Sequence, residues 1–105
     1  MTDNINASSG DKAQFYAERL AKMIRCKTVS EKNDFKPEEF LKLRKVIAEL
    51  FPLVTQKAEF TVFGDDAYLY KLKGKDETRN VMVMSHHDVV EATGDWQEEP
   101  FGGVI

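Results

Sequence analysis

The residues of this sequence that could do chemistry stand together near its end, in Ser85-His86-His87-Asp88. In an extended chain, residues two apart point to the same side, so His86 and Asp88 share one side and His87 faces the other. An imidazole can bind zinc through one ring nitrogen while a carboxylate holds the other nitrogen and fixes the ring. The spacing therefore offers His86 as a zinc ligand and Asp88 as its orienting partner, and these two residues are called the candidate pair below.

The same spacing is also compatible with a segment that has no function. His-x-Asp triplets are common by chance, and from spacing alone a hydrogen-bonded histidine beside an exposed aspartate at the polar end of a strand is the simpler interpretation. Ser85 is a poor candidate nucleophile, because no base and acid beyond its immediate neighbours could complete a triad. Cys26, the one cysteine of the chain, is predicted to be a small buried apolar residue.

Two amphipathic helices are predicted to precede the candidate pair. The first begins with Asp11 as N-cap and Gln14 three residues later, and it ends near Cys26. The second begins at Pro37 and is stopped by Pro52, because the residue before a proline is pushed away from helical dihedrals. The apolar stripes that need cover are Ala13, Tyr16, Ala17, Leu20, Ala21 and Ile24 in the first helix, and Phe40, Leu43, Ile47 and Leu50 in the second.

A sheet is predicted to supply that cover. Residues 57–62 and 68–73 alternate apolar and polar side chains, and the turn-forming residues 64–66 lie between them, which indicates an antiparallel hairpin. Residues 81–84, Val-Met-Val-Met, are apolar at every position, as is typical of a strand covered on both faces. The sequence thus predicts an α/β fold of two helices, a β-hairpin and a last, buried strand. Ligands of open α/β sheets bind beyond the carboxyl ends of the strands, where the candidate pair stands.

The residues after the candidate pair extend the pattern. The stretch from Ser85 to Ile105 reads SHHDVVEATGDWQEEPFGGVI, and it resembles the signature of the zinc-dependent exopeptidases that include carboxypeptidase S, aminoacylase and several dipeptidases. The family pattern of His-x-Asp-Val-Val, a tryptophan, Pro-Phe and a nearby glycine is matched by His86, Asp88, Val89, Val90, Trp96, Pro100, Phe101 and Gly103. Upstream, IRCKTVS at 24–30 and FPLV at 51–54 resemble the family's exits from its first and second helices. The resemblance runs from about Asp11 to Ile105 and is most like the carboxypeptidase S branch.

The resemblance implies roles for particular residues. His86 matches the histidine that binds one zinc of a two-zinc centre, which other divalent metals could also occupy, and Asp88 matches the catalytic aspartate that orients this histidine. His87 falls on a variable position and is assigned no ligand role. Glu91 and Lys27 stand where the family commonly has proline, and these departures affect local backbone shape rather than the metal role of His86.

Glu98 and Glu99 do not match the family's adjacent glutamate pair. That pair, which supplies a base and a ligand, lies well downstream of the tryptophan region, whereas these two stand between Trp96 and Pro100. They are predicted to be solvated loop carboxylates. Trp96 and Phe101 are expected to anchor the loop by packing.

The sequence resembles the N-terminal portion of a three-layer zinc-exopeptidase catalytic domain whose sheet is incomplete. Residues 1–10 are expected to form a flexible leader, and residues 11–105 an N-terminal fragment of the catalytic domain. A catalytic zinc takes about three protein ligands, and the chain supplies one that matches, so the other family ligands and the general base are expected from outside it. The complete enzyme would hydrolyse peptides or N-acyl amino acids, and the chain alone is expected to be inactive.

Composition narrows the classes of partner and location. The 105 residues, 42% of them hydrophobic, are enough for one small domain. A net charge of -3 without a long basic run argues against nucleic-acid binding. The first residues lack the pattern of a signal peptide and no apolar run reaches membrane-spanning length, so the cytoplasm is the expected location. The resemblance implies a peptide or N-acyl amino acid as substrate and a homodimer formed through a domain absent here.

A function of another class is compatible with the same sequence. The chain could be a small non-catalytic α/β interaction module that pairs an exposed sheet edge with a partner. An unfinished sheet predicts dimers or aggregates rather than a monomer in solution.

Overall fold

The computed structural model describes residues 9–105, which contain three helices and one β-hairpin. The elements in chain order are α1 (Ser9–Ile24), α2 (Pro37–Leu50), α3 (Pro52–Lys57), β1 (Glu59–Phe63) and β2 (Ala67–Lys71). The predicted α/β class, with two amphipathic helices followed by an antiparallel hairpin, is confirmed. Across residues 9–105, no helix has both the length and the apolar character that crossing a membrane requires.

The start of α1 differs from the prediction. The helix begins at Ser9, so Asp11 lies in its first turn rather than at its N-cap, and the last two residues of the predicted leader are helical. The rest of that leader, residues 1–8, lies outside the described residues. Gln14, the predicted capping-box partner, donates from its side-chain amide to the carboxylate of Glu18 at 3.0 Å, one turn further along the helix.

The apolar stripe of α1 is only partly covered. Ala21 is buried, whereas Tyr16 and Leu20 are 61% and 54% exposed. Arg19 connects α1 to the end of α2, because its guanidinium donates to the carbonyl oxygen of Leu50 at 2.7 Å. Much of the predicted stripe therefore remains at the surface of the described chain.

The second helix follows the prediction closely. Pro37 stands in its first turn, and α2 ends at Leu50 because the residue before Pro52 leaves helical dihedrals, at φ -125° and ψ 65°. Phe40 and Leu43 form the buried part of its apolar face. Pro52 also opens the short helix α3, which the sequence analysis did not predict, since proline suits the first turn of a helix.

The hairpin pairs β1 with β2 in antiparallel register, from Glu59 opposite Lys71 to Phe63 opposite Ala67. Alternate residues of both strands are half-buried, as the alternating sequence predicts. Tyr68 attaches the hairpin to α2, because its hydroxyl donates to the main-chain oxygen of Phe40 at 3.1 Å. The hairpin thus contacts α2, one of the two helices that it was predicted to cover.

The prediction of a buried strand at residues 81–84 is wrong. These residues adopt no regular secondary structure, and the side chains of Val81, Met82, Val83 and Met84 are 93%, 71%, 92% and 80% exposed. Their main chain makes no hydrogen bond to any described residue. The two strands in the described chain pair only with each other, so this apolar segment lacks the neighbours that a central strand has on both edges and both faces.

The core lies where the end of α1 meets the segment of the candidate pair. Residues 28–30 run parallel to residues 87–89, and a single β-bridge joins Val29 to Val89. The residues buried around this junction and under α2 are Ala21, Cys26, Thr28, Val29, Phe40 and Leu43. The burial of Cys26 confirms its predicted apolar role. The junction fixes the candidate pair against the end of the first helix.

The C-terminal turn also docks on α1. The guanidinium of Arg25 donates to the carbonyl oxygen of Gly102 at 3.0 Å and to that of Gly103 at 3.4 Å. Gly103 has φ +63°, and a Cβ at this position would lie 2.6 Å from the carbonyl oxygen of Ala21. Both the dihedral angle and the close backbone approach therefore require glycine here.

The two aromatic residues of the loop behave differently. Phe101 is half-buried, and the ammonium of Lys27 lies 5.5 Å from the centre of its ring, so it anchors the loop as predicted. Trp96 is 58% exposed, and its indole nitrogen donates to the carbonyl oxygen of Thr93 at 3.2 Å, three residues back. The expectation that Trp96 anchors the loop by packing is therefore wrong, because its ring stays largely in solvent.

Candidate functional site

Two extended segments hold the candidate pair in place. The main-chain nitrogen of Val89 donates to the carbonyl oxygen of Thr28 at 2.9 Å, and that of Ser30 donates to the carbonyl oxygen of Val89 at 3.3 Å. The hydroxyl of Thr28 donates to the carbonyl oxygen of His87 at 2.7 Å. Three hydrogen bonds between segments almost 60 residues apart therefore fix the backbone on both sides of Asp88.

The imidazole of His86 lies against Asp88. Its Nδ1 is 3.2 Å from the carboxylate Oδ1 of Asp88 and 2.9 Å from the main-chain oxygen of the same residue. Both neighbours of Nδ1 are acceptors, so the neutral ring interacts with them when its proton is on Nδ1. That tautomer leaves the lone pair of Nε2 free for a ligand, and the side chain of His86 is 85% exposed.

The carboxylate of Asp88 has a second partner. The hydroxyl of Ser30 donates to Oδ2 at 2.8 Å, while Oδ1 faces His86. The hydrogen bond from Ser30 is the largest cause of a pKa of Asp88 below its usual 3.8, and the imidazole of His86 contributes further in the same direction. Asp88 is therefore an ionised acceptor at neutral pH.

His87 faces away from the candidate pair, as strand alternation predicts. Its ring stacks on that of Tyr68, with centroids 4.8 Å apart and an angle of 29° between the planes. It also meets the ring of Phe40 edge-on, at 5.8 Å. The imidazole of His87 therefore packs between α2 and the hairpin.

A cavity of about 450 Å³ opens beside the candidate pair. Its aromatic wall consists of Phe35, Phe40, Tyr68 and the ring of His87, and its polar lining includes Ser30, Asp66, Ser85, His86 and Asp88. Burial raises the pKa of the Tyr68 hydroxyl above 10.0, and the nearby carboxylate of Asp66 raises it further. The phenol therefore stays protonated.

A larger and more apolar cavity of about 1130 Å³ lies between α1, the hairpin and residues 82–87. The smaller cavity is the one that contains both members of the candidate pair.

The arrangement fits one ligand of a metal ion rather than a complete metal centre. His86 presents an exposed ring with one nitrogen held by acceptors, which is the usual state of a metal-binding histidine. Within residues 9–105, no group of three or more histidine, cysteine, aspartate or glutamate side chains is placed to hold a metal ion. Glu98 and Glu99 are exposed, as predicted for loop carboxylates. The buried thiol of Cys26 has its pKa raised chiefly by burial, which disfavours the thiolate that binds metals.

Part of the site has no signal in the sequence near the candidate pair. Ser30, Thr28 and Tyr68 all support the candidate pair or its neighbour, yet each is distant from it in sequence. The β-branched pair Thr28-Val29 was a signal for a short extended segment after α1, but it does not indicate which other segment pairs with it. The contact between Ser30 and Asp88 depends on chain folding and has no local signature.

Two curated proteins are similar to this chain over most of its length. No family model and no solved structure match the chain. Over 97 residues it is 32% identical to the probable carboxypeptidase S-like 2 of Dictyostelium discoideum, a stretch that covers 85% of this chain and 18% of that protein. Over 83 residues it is 31% identical to the probable carboxypeptidase S-like 1 of the same organism, which covers 74% of this chain and 17% of that protein. The chain thus spans less than a fifth of the length of these two relatives.

The first of these matches includes the candidate pair. A stretch that covers 85% of a 105-residue chain contains both His86 and Asp88 wherever it begins. The similarity therefore extends over the site described above as well as over the helices. It supports a relation to peptidases, at a level of identity close to one third.

Proposed function

We propose that this chain is the N-terminal part of a metal-dependent peptidase or amidohydrolase, in which His86 binds one metal ion and Asp88 orients the ring of His86. The observation that carries the proposal is the position of His86 Nδ1 between the carboxylate and the main-chain oxygen of Asp88. It stands within a stretch similar to a carboxypeptidase S-like protein. The resemblance of the sequence to zinc exopeptidases makes zinc the expected metal, in a centre of two ions.

The residues of this chain would bind and orient rather than carry out the whole reaction. A bound zinc supplies a Lewis acid for the carbonyl group of a peptide or N-acyl amino acid. His86 would offer Nε2 to the metal, and Asp88 would accept the proton of Nδ1 and keep the ring in its plane. The protonated hydroxyl of Tyr68 and the ring of His87 would line the adjoining cavity.

Other parts of the catalytic machinery are assigned to residues outside this sequence. A catalytic zinc needs about three protein ligands, and the described residues offer His86 alone in a suitable arrangement. The matched relatives are more than five times as long as the stretch that resembles this chain, which leaves room for further ligands, a general base and a dimerisation domain. The 105-residue chain by itself is accordingly proposed to be inactive as a peptidase.

A zinc titration of the 105-residue chain, followed by the nitrogen resonances of its two imidazoles, tests the proposal. Zinc is expected to shift Nε2 of His86 and to leave His87 unchanged, because the ring of His87 is stacked between Tyr68 and Phe40. Replacement of Asp88 by Asn is expected to weaken binding about 10- to 100-fold, as loss of an orienting partner does in metal sites.

Two results would contradict the proposal. Zinc that shifts neither imidazole, or that shifts His87 alone, would remove His86 as a ligand. Zinc-dependent peptidase turnover by the pure chain, abolished by His86→Ala, would show instead that the chain is active alone.

A second candidate function is supported by one observation. The four apolar side chains of residues 81–84 are 71–93% exposed and their main chain is unpaired within the described residues. Such a segment can add to the sheet edge of a partner, as an interaction module would. This function predicts association through residues 81–84 and no dependence on metal.

A further inference from the structure

The carboxylate of Asp88 is held at both oxygens. Oδ1 is 3.2 Å from Nδ1 of His86, and Oδ2 accepts from the hydroxyl of Ser30 at 2.8 Å. An aspartate carboxylate otherwise rotates in a broad, two-fold potential, so one contact alone does not fix the plane of the carboxylate relative to the imidazole. Ser30 donates a hydrogen bond to this carboxylate, and the imidazole of His86 lies beside its other oxygen.

The backbone around Ser30 is held in place by hydrogen bonds and by buried neighbours. Its main-chain nitrogen donates to Val89, and its neighbour Val29 is completely buried in the bridge to the same residue. Thr28 is 3% exposed, and its hydroxyl is bound to the carbonyl oxygen of His87. Buried and hydrogen-bonded residues on one side of Ser30 therefore place its hydroxyl beside Asp88, although Ser30 itself lies at the surface.

From this geometry we infer that Ser30 is a positioning residue for His86 and acts through Asp88. The Ser30 hydroxyl orients the carboxylate, so that its Oδ1 lies 3.2 Å from Nδ1 of His86, beside the main-chain oxygen of Asp88 at 2.9 Å. A proton on Nδ1 is then stabilised by both oxygens, and Nε2 is left with its lone pair directed away from Asp88. The inference rests on the proposed function, because metal binding is what the positioning would serve. The quantity that tests it is the tautomer of the His86 imidazole in the absence of metal. Solvent-exposed imidazoles favour the proton on Nε2, so a Nδ1–H tautomer at a ring 85% exposed would reveal the effect of the acceptors.

The chain contains a matched control for this inference. Ser85 lines the same cavity as Ser30 and precedes His86 directly, but its hydroxyl makes no hydrogen bond to a described residue. Ser85→Ala thus removes a hydroxyl from the same cavity and leaves the carboxylate of Asp88 untouched. Ser30→Thr keeps the hydroxyl at position 30 and serves as the conservative variant.

The experiment is nitrogen NMR of the metal-free chain at a pH of about 8.5, where free imidazole is neutral. His86 in the unaltered protein is expected to be mainly the Nδ1–H tautomer. Ser30→Ala is expected to lower the ratio of Nδ1–H to Nε2–H by about three- to tenfold, the range set by the net contribution of one hydrogen bond. Ser30→Thr and Ser85→Ala are expected to retain the ratio of the unaltered protein. In an Asp88→Asn background, Ser30→Ala is expected to have no additional effect.

An unchanged ratio in Ser30→Ala, or an equal loss in Ser85→Ala, would overturn the inference. The ring of Tyr68 is expected to shift the His87 resonances upfield, and retention of this shift reports whether each variant keeps its fold. If Ser30→Ala loses that shift, the inference is tested instead by the scalar couplings that report the χ1 rotamer of Ser30 in the unaltered protein. A single χ1 rotamer supports the contact with Asp88, and an averaged rotamer overturns it.

The tautomer and the zinc titration separate the two proposals. A ratio that depends on Ser30, together with an absence of any zinc shift at His86, would support the positioning role and contradict the metal function. A zinc shift at His86 that is the same with and without the Ser30 hydroxyl, with an unchanged tautomer, would leave the metal function standing and remove Ser30 from it.

Discussion

At the scale of single residues, the two adjacent histidines have opposite surroundings. His86 is exposed and meets only acceptors on Asp88, whereas His87 is stacked between Tyr68 and Phe40. Their environments differ because successive side chains of an extended segment point to opposite sides, and one side here faces α2 and the hairpin. The exposed ring of His86 is thus the one compatible with the proposed ligand role, whereas the ring of His87 packs against its aromatic neighbours.

A pH prediction follows from Cys26. Burial raises the pKa of this thiol above its ordinary 9.0. As pH rises, the thiol therefore ionises at a lower pH in the unfolded chain than in the folded chain. The contribution of the thiol to the free energy of unfolding is thus present below pH 9.0 and declines as pH rises towards the raised pKa. Urea denaturation over a pH series is expected to show a steeper alkaline loss of stability in the unaltered protein than in Cys26→Ala.

The two tyrosines with raised pKa values, Tyr68 and Tyr70, also lower stability at alkaline pH. They are present in both proteins, so the difference between the two curves isolates the thiol. Parallel curves would mean that Cys26 ionises as readily in the folded chain as in the unfolded one.

At the scale of elements, the strand that the local sequence predicts at residues 81–84 is absent from the observed structure. The helices and the hairpin carry their own hydrogen bonds, so their formation depends mainly on residues close in sequence. A central strand needs neighbours on both edges and cover on both faces, and the described chain provides neither to residues 81–84. Each of these exposed apolar side chains forgoes about 1.5–3 kcal/mol that full burial would contribute.

The exposure of this segment makes a prediction about association. Val83→Lys is expected to reduce concentration-dependent dimers or aggregates of the 105-residue chain, because a charge in this exposed apolar segment opposes its pairing with another sheet edge. The variant should leave the free energy of unfolding within about 0.5 kcal/mol of the unaltered protein, since Val83 is 92% exposed. Light scattering over a range of concentrations measures the first effect, and urea denaturation the second.

Leu53→Lys is the matched control for this experiment. Leu53 is also apolar and 63% exposed, but it lies on α3, away from residues 81–84. Equal effects of the two substitutions would indicate that association depends on net charge alone. A monomer at every concentration would contradict the interaction-module function.

At the scale of the whole molecule, the end of α1 is the meeting point of distant parts of the chain. Residues 87–89 bridge to the segment just after this helix, and the C-terminal turn docks on its last turns through Arg25 and Gly103. These contacts connect residues 58 to 82 positions apart. The candidate pair is therefore held by the tertiary structure rather than by the segment in which it stands.

Gly103 provides the test at this scale. Gly103→Ala is expected to lower the free energy of unfolding by more than about 1–2 kcal/mol, the cost of the left-handed conformation for a residue with a Cβ. The loss is expected to exceed this cost because the new Cβ would lie 2.6 Å from the carbonyl oxygen of Ala21 in α1. That oxygen can move away only if the helix moves. Urea denaturation measures the loss.

Gly74→Ala is the control, since a Cβ at Gly74 meets no atom within 4 Å and its φ is ordinary. It is expected to change the free energy of unfolding by less than about 0.5 kcal/mol. Similar values for the two variants would show that the C-terminal turn does not dock on α1 in solution.

The sequence by itself determined α2, the hairpin and the orientation of the candidate pair. Pro37 and Pro52 mark the bounds of α2, and alternation of side chains predicts both the hairpin and the shared side of His86 and Asp88, because these signals act over a few residues. The tertiary structure alone decided the exposure of residues 81–84 and the contact between Ser30 and Asp88. Both depend on which distant segments come together, and an apolar run or a hydroxyl carries no information about the neighbour that it will meet.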